Sequence, residues 1–390
     1  MTRIAMLTYS VKPRGGVVHA LEVSEALARR GHDVTLVALA RPGEALFRPA
    51  AVPVELIRHV PDQDAPFDTR IEAMLVAYAD GLARVLPQGD FDVVHTQDCL
   101  SANAALDLRD RGLIREVVRT VHHVDDFTSP SLVDCQQRSI AGPDHVLCVS
   151  QPWAQRLADD FAVHAQIVAN GVDRARFRPS RDRYERASER AASDLGDRCV
   201  VLTVGGIEPR KGSLTLLRGF ARMRALSPER DPLLLIAGGT TLFDYRDELG
   251  RFAALARELG VTEHVRVLGP QTDAEMERLY RATDVFAFPS VKEGFGLAAL
   301  EALSAELPLV ASDLDVFRSF LTDGVSALLT PTGDGEALGR ALARVADEPL
   351  LRERLIAGGR EVAAQYSWEA AAVSHERAYE QIRSLERDAA

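Results

Sequence analysis

Short apolar runs alternate with longer amphipathic stretches along most of this chain, and the alternation runs through twice. Ile4–Thr8, Val34–Leu39, Val93–His95, Val117–Val121 and Val146–Val149 read as buried strands. Val17–Arg30, Ile71–Leu86 and Trp153–Asp160 read as helices between them. The rhythm restarts with Val200–Val204, Leu233–Ala237, Val265–Leu268, Val285–Phe288 and Leu309–Ala311. Strands of four to six residues separated by helices imply parallel sheets covered on both faces. Two such series in 390 residues imply an α/β chain of two doubly wound domains.

The series breaks between residues 174 and 198, where seven arginines precede residue 191 and large apolar residues are few. That stretch reads as a solvated linker with a short helix. The sharper alternative is a basic surface for anionic lipid, a peripheral membrane contact. The tail from Trp368 to Arg387 is helical by pattern, with Ala371, Ser374, Ala378, Ile382 and Leu385 near one face. The net charge is 46 − 57 = −11, which argues against nucleic acid as a partner. Cys99, Cys135, Cys148 and Cys199 are widely spaced and form no CxxC pair, so free thiols in a reducing cytoplasm are expected. The N-terminal apolar run is too short for a secretion signal, and no stretch approaches a membrane span.

In open α/β sheets, ligands bind beyond the carboxyl ends of the strands, so the loops there carry the chemistry. The first, Tyr9–Val18, places Gly15 and Gly16 just before a helix, where free N–H groups and the dipole favour a diphosphate. A flexible turn is the plain alternative. The second, Gly205–Ser213, sets Arg210 and Lys211 at the mouth of a helix. The dipole repels cations there, so a bound anion would compensate. The third is PSVKEGFGLAALEALSAELPLVASD, residues 289–313. It sets Glu293 in the loop, Gly294 and Gly296 around Phe295, a helix from about Leu297, and Glu301 on that helix. A carboxylate accepts two hydrogen bonds at once, which suits a vicinal diol. Two acidic residues near a helix N-terminus are also common without any ligand.

Gly294, Gly296 and Ala299 imitate the dinucleotide fingerprint, but five residues separate the strand from the first glycine, too many for its tight turn. Asp313 and Asp315 imitate a metal motif, as do His122, His123, Asp125 and Asp126. Neither has a full ligand set at helical spacing, so no metal is expected.

Taken in order, these pieces resemble the retaining glycosyltransferases of family 4. The resemblance runs from RIAMLTYSVKPRGG through DVVHTQDCLSANAAL, RTVHH, ANGVDRARFRP, VGGIEPRKGS and KEGFGLAALEAL to a terminal YSWEAAA helix. It implies the GT-B fold: two facing Rossmann-like domains with parallel sheets and an interdomain cleft. An acceptor-side domain would span 1–180 and a nucleotide-sugar domain 196–366, with the helix 367–390 packing back on the first. The resemblance also implies roles. Gly15 and Gly16 would touch the donor diphosphate or sugar. His122 would meet the transferred sugar and Glu293 would hold its hydroxyls. Lys211 and the amides of Phe295, Gly296 and Leu297 would hold phosphate, and Glu301 the ribose.

Three departures from the family pattern stand out. Gly206 replaces an arginine that often binds phosphate, with Arg210 as the substitute; Glu306 replaces a common glycine, and Ser319 a common glutamate. The implied reaction moves a sugar from a nucleoside diphosphate sugar, UDP-sugar before GDP- or ADP-sugar, to an unidentified acceptor hydroxyl. It retains configuration and needs no cofactor or metal. The rivals are a noncatalytic nucleotide-sugar-binding protein and a GT-B epimerase or phosphorylase.

Overall fold

The computed structural model describes residues 1–62, 64–127, 129–239 and 246–389. The chain divides into two compact units, one of Met1–Gly171 with Trp368–Ala390, the other Val172–Ser367.

The first unit is built on a seven-stranded sheet: β1 (Arg3–Thr8), β2 (Asp33–Ala40), β3 (Val54–Arg58), β4 (Val93–Thr96), β5 (Val118–Val121), β6 (His145–Cys148) and β7 (Gln166–Ile167). The order is β3-β2-β1-β4-β5-β6-β7 and every pair is parallel. The second holds six: β8 (Val200–Val204), β9 (Leu233–Ala237), β10 (Val265–Gly269), β11 (Val285–Phe288), β12 (Leu309–Ser312) and β13 (Leu328–Thr330). Their order is β10-β9-β8-β11-β12-β13, again all parallel. Each sheet is wound outward from its first strand in both directions. The direction reverses between β1 and β4 in one unit and between β8 and β11 in the other. Loops leaving those strands part on opposite faces and open a crevice.

The central strands are apolar on both faces because helices cover both, and Ile4, Leu7, Leu36, Val201, Leu202 and Phe286 are fully buried. β3, β7 and β13 are absent from the sequence reading. All three are sheet edges, short and partly exposed, so they lack the continuous apolar run that marks a central strand.

The arginine-rich stretch belongs to the second unit and forms the helix Arg183–Ala192. Arg178 pairs with Glu185, and Arg186 and Arg190 with Asp284, while Arg174, Arg181 and Arg183 are exposed. Glu306 follows the helix Leu297–Ser304 with φ +57°, the left-handed region that favours glycine, which accounts for the glycine common in the family.

The terminal helix Trp368–Ala389 packs on the helix Gly15–Arg29 within the first unit. Ala371, Ala378 and Ile382 are buried as the pattern indicates, Ser374 is partly exposed, and the Leu385 side chain lies outside the described residues. The same face hides polar groups that the pattern misses. His375 is fully buried, and the Tyr379 hydroxyl lies 2.7 Å from His95 Nδ1. Arg29–Glu369 and Arg30–Glu376 pairs, both at 2.8 Å, close the rim.

Candidate functional site

The reversal between β8 and β11 brings the second and third glycine loops together. Lys211 Nζ lies 2.6 Å from Glu293 Oε1, which also accepts from Ser290 Oγ at 2.8 Å. Arg210 reaches Glu293 Oε2 at 3.5 Å and the Lys292 carbonyl at 3.3 Å. Burial alone would push the Glu293 carboxyl up. Lys211 and Arg210 outweigh it and, with the hydrogen bonds from Lys211 and Ser290, hold the group below its usual range. Glu293 thus lies within reach of both cations in the chain itself.

Glycines let these loops close. A Cβ on Gly212, at φ +66°, would fall 2.0 Å from the Pro289 carbonyl oxygen. Gly206 is equally constrained, since a Cβ there would lie 2.6 Å from the Gly239 oxygen. The arginine common in the family has no room for its first carbon at this position without a backbone shift, and Arg210 enters the cluster from four residues further on.

Gly296, at φ +103°, precedes the helix Leu297–Ser304, whose N-terminus has no side-chain cap and whose Ala299 amide turns back to the Gly296 carbonyl at 2.9 Å. The Phe295 ring stacks on Phe320 with centroids 5.2 Å apart, so its side chain anchors the loop. On the next turn, Glu301 Oε2 accepts from the Tyr280 hydroxyl at 2.7 Å. Burial, then Glu301, raise the Tyr280 hydroxyl well above its usual range, so it remains a donor. Neither Ser290 nor Tyr280 was found in the sequence. The available signal was that a tyrosine buried beside a strand needs a partner for its hydroxyl.

In the first unit the reversal between β1 and β4 brings Gly16 against His122. Both Gly15 and Gly16 are helical, so neither is required by backbone conformation. The helix N-terminus has no side-chain cap, and a Cβ on Gly15 would meet nothing within 4 Å. A Cβ on Gly16 would lie 3.2 Å from His122 Cδ2. His122 Nε2 is 2.9 Å from Gln97 Oε1, and its ring meets His19 edge-on with centroids 4.8 Å apart. Burial, then His19, Arg119, His123 and His95, lower the His122 pKa well below its usual value, so the ring is neutral near pH 7. His123 turns elsewhere, to Asp125 Oδ2 at 3.2 Å.

Asp313 is taken by Arg318. Among the described residues no group of three His, Cys, Asp or Glu is placed to hold a metal ion, and no helix is long and apolar enough to cross a membrane.

Comparison with known proteins matches residues 13–176 to the model of glycosyltransferase family 4 and residues 185–362 to that of glycosyl transferases group 1. A D-inositol 3-phosphate glycosyltransferase of Saccharomonospora viridis is 32% identical over 94% of this chain and 91% of its own length. That of Actinosynnema mirum is 30% identical over 100% and 99%. Among solved structures, a sucrose-phosphate synthase from Thermosynechococcus elongatus superposes with a TM-score of 0.83 at 22% identity, covering 99% of this chain and 100% of its own. Anabaena HepE, solved in complex with UDP-glucose, gives 0.78 at 17% identity, covering 98% and 100%. Two parallel α/β units, both glycine-loop crevices and relatives matched along nearly their whole length agree: the chain belongs to the glycosyltransferases of family 4 type, on the GT-B fold.

Proposed function

We propose that this glycosyltransferase takes its sugar from a nucleoside diphosphate sugar, a UDP-sugar by preference, and transfers it to an acceptor hydroxyl with retention and without a divalent metal. The observation that carries the reading is the Lys211–Glu293–Arg210 cluster together with the helix N-terminus at Leu297, which has no side-chain cap. Charge builds on the diphosphate as the bond to the sugar breaks. Fixed cations and a helix N-terminus stabilise that charge without reorganising. In this reading the bond between the sugar and the diphosphate breaks, and the diphosphate keeps the electron pair. The acceptor oxygen bonds to the sugar on the same face, and its proton passes to the leaving phosphate. Glu301 holds the ribose, Glu293 the sugar hydroxyls, and His122 contacts the sugar where charge develops. The four unpaired cysteines support a reducing, cytoplasmic setting.

A thermal-shift screen of UDP, GDP, ADP and their sugars selects the donor, with inositol phosphate as the first acceptor tried because of the relatives' names. Transfer is expected to persist in EDTA. Complete loss, restored by magnesium or manganese, overturns metal independence. Glu301→Ala is expected to weaken the nucleotide sugar and the free nucleoside diphosphate alike, by about 10-fold or more, since both carry the ribose. Unchanged calorimetric affinity for both removes Glu301 from the ribose. Diphosphate release that never occurs, even with acceptor present, would favour a noncatalytic binder.

A further inference from the structure

The residue just beyond β4 belongs to none of the glycine loops. Gln97 is 2% exposed and its side chain has two partners. Oε1 lies 2.9 Å from His122 Nε2, and the amide nitrogen lies 3.0 Å from Met6 Sδ. Met6, on β1, is fully buried. A thioether sulfur accepts weak hydrogen bonds and donates none. The NH₂ group therefore belongs on the sulfur, because the reversed amide would set oxygen against sulfur with no proton between them. That leaves the carbonyl oxygen facing His122, and an oxygen of this kind only accepts. So His122 Nε2 carries the proton, and Nδ1 carries the lone pair.

The surroundings hold the ring in this pose. Gly16 covers one edge, where a Cβ would come within 3.5 Å of Nε2. His19 covers another, fixed through its Nδ1 at 2.6 Å from Asn170 Oδ1. Gln97 itself is held at the start of the helix Cys99–Asp110. There Asp98 accepts from the Ser101 amide at 2.7 Å and from the Tyr9 amide at 2.8 Å.

We propose that Gln97 is a positioning residue for sugar transfer: it holds His122 as the Nε2–H tautomer, so that Nδ1 meets the donor sugar as a hydrogen-bond acceptor. His122 then accepts from a sugar hydroxyl and has no proton to give the departing diphosphate. The inference rests on the reading of His122 as a sugar contact and goes beyond it by fixing which nitrogen makes the contact and what sets it.

Long-range ¹H–¹⁵N spectra of the imidazoles, with His122 assigned by its loss in His122→Ala, read the tautomer directly in the unaltered protein. The expected result is a protonated Nε2 and a bare Nδ1. Gln97→Leu removes the acceptor at similar size and is expected to mix the tautomers. It should lower kcat for UDP release from the selected UDP-sugar by about 10-fold, with UDP affinity within about twofold of wild type. A wild-type Nδ1–H tautomer overturns the proposal, as does a leucine variant with unchanged kcat. If His122→Ala leaves kcat unchanged, the sugar-contact reading itself fails, whichever tautomer is observed.

Discussion

His122→Ala is expected to lower sugar transfer by about 100-fold or more while leaving affinity for the nucleoside diphosphate within about threefold of wild type. The nucleotide contacts are proposed for the second unit, at Lys211, Arg210, Phe295 and Glu301. The imidazole is proposed to contact the sugar, whose charge changes most in the transition state, so the loss falls on kcat. His123 is the internal control. It is paired with Asp125 instead of Gln97, and His123→Ala is expected to cost far less. A dead His123 variant beside an active His122 variant would place the reacting sugar on the other side of this strand end. Transfer kinetics with calorimetry on both variants distinguish the cases.

Lys211→Met is expected to lower kcat/KM by about 100-fold, as loss of a preorganised charge at a leaving group does. Nucleoside diphosphate affinity should fall with it, since the ammonium is assigned to both ground and transition states. Stability should fall as well, by about 3 kcal/mol, because a buried carboxylate loses its 2.6 Å partner. The stability effect has a defined pH dependence. The Glu293 carboxyl in the folded protein lies below its ordinary 4.5. The pair therefore stabilises fully above about pH 4.5, and that stabilisation is lost as pH falls through the lower folded value. The difference in Tm between wild type and variant should be largest near neutrality and shrink below pH 4.5. Equal Tm values at pH 7 would show that Arg210, at 3.5 Å, suffices alone.

The central strands and the three glycine loops are legible because each is a local pattern: a continuous apolar run, then small residues, then a helix start. The spacing of Glu293 and Glu301 is legible for the same reason. The Lys211–Glu293 pair is not, since 82 residues separate its members and they meet only because β11 lies beside β8. The two cations accordingly read as awaiting an external anion, with no sign in the sequence that Glu293 reaches both. Gln97 escaped for a similar reason. Its partner lies 25 residues on, in a strand end brought alongside by β4–β5 pairing. On the terminal helix, His375 and Tyr379 look like solvent-facing residues in a hydropathy pattern. Both are instead buried: His375 Nδ1 lies 2.8 Å from the Ala371 carbonyl oxygen while its Nε2 has no partner, and the Tyr379 hydroxyl meets His95.

The route of the chain has a consequence for its synthesis. The second unit is one continuous stretch, whereas the first is completed only by residues after Trp368. A nascent chain of 171 residues has every strand of its first sheet but leaves the buried faces of His19 and His95 unsealed. It stays that way until nearly 200 further residues have been translated. A ribosome that stalls before Trp368 thus releases a sticky, unfinished N-terminal half beside a C-terminal half able to fold. The segment Val172–Ser367 is the natural piece to express alone, and a circular permutant that joins 368–390 ahead of Met1 would let the other half mature without it.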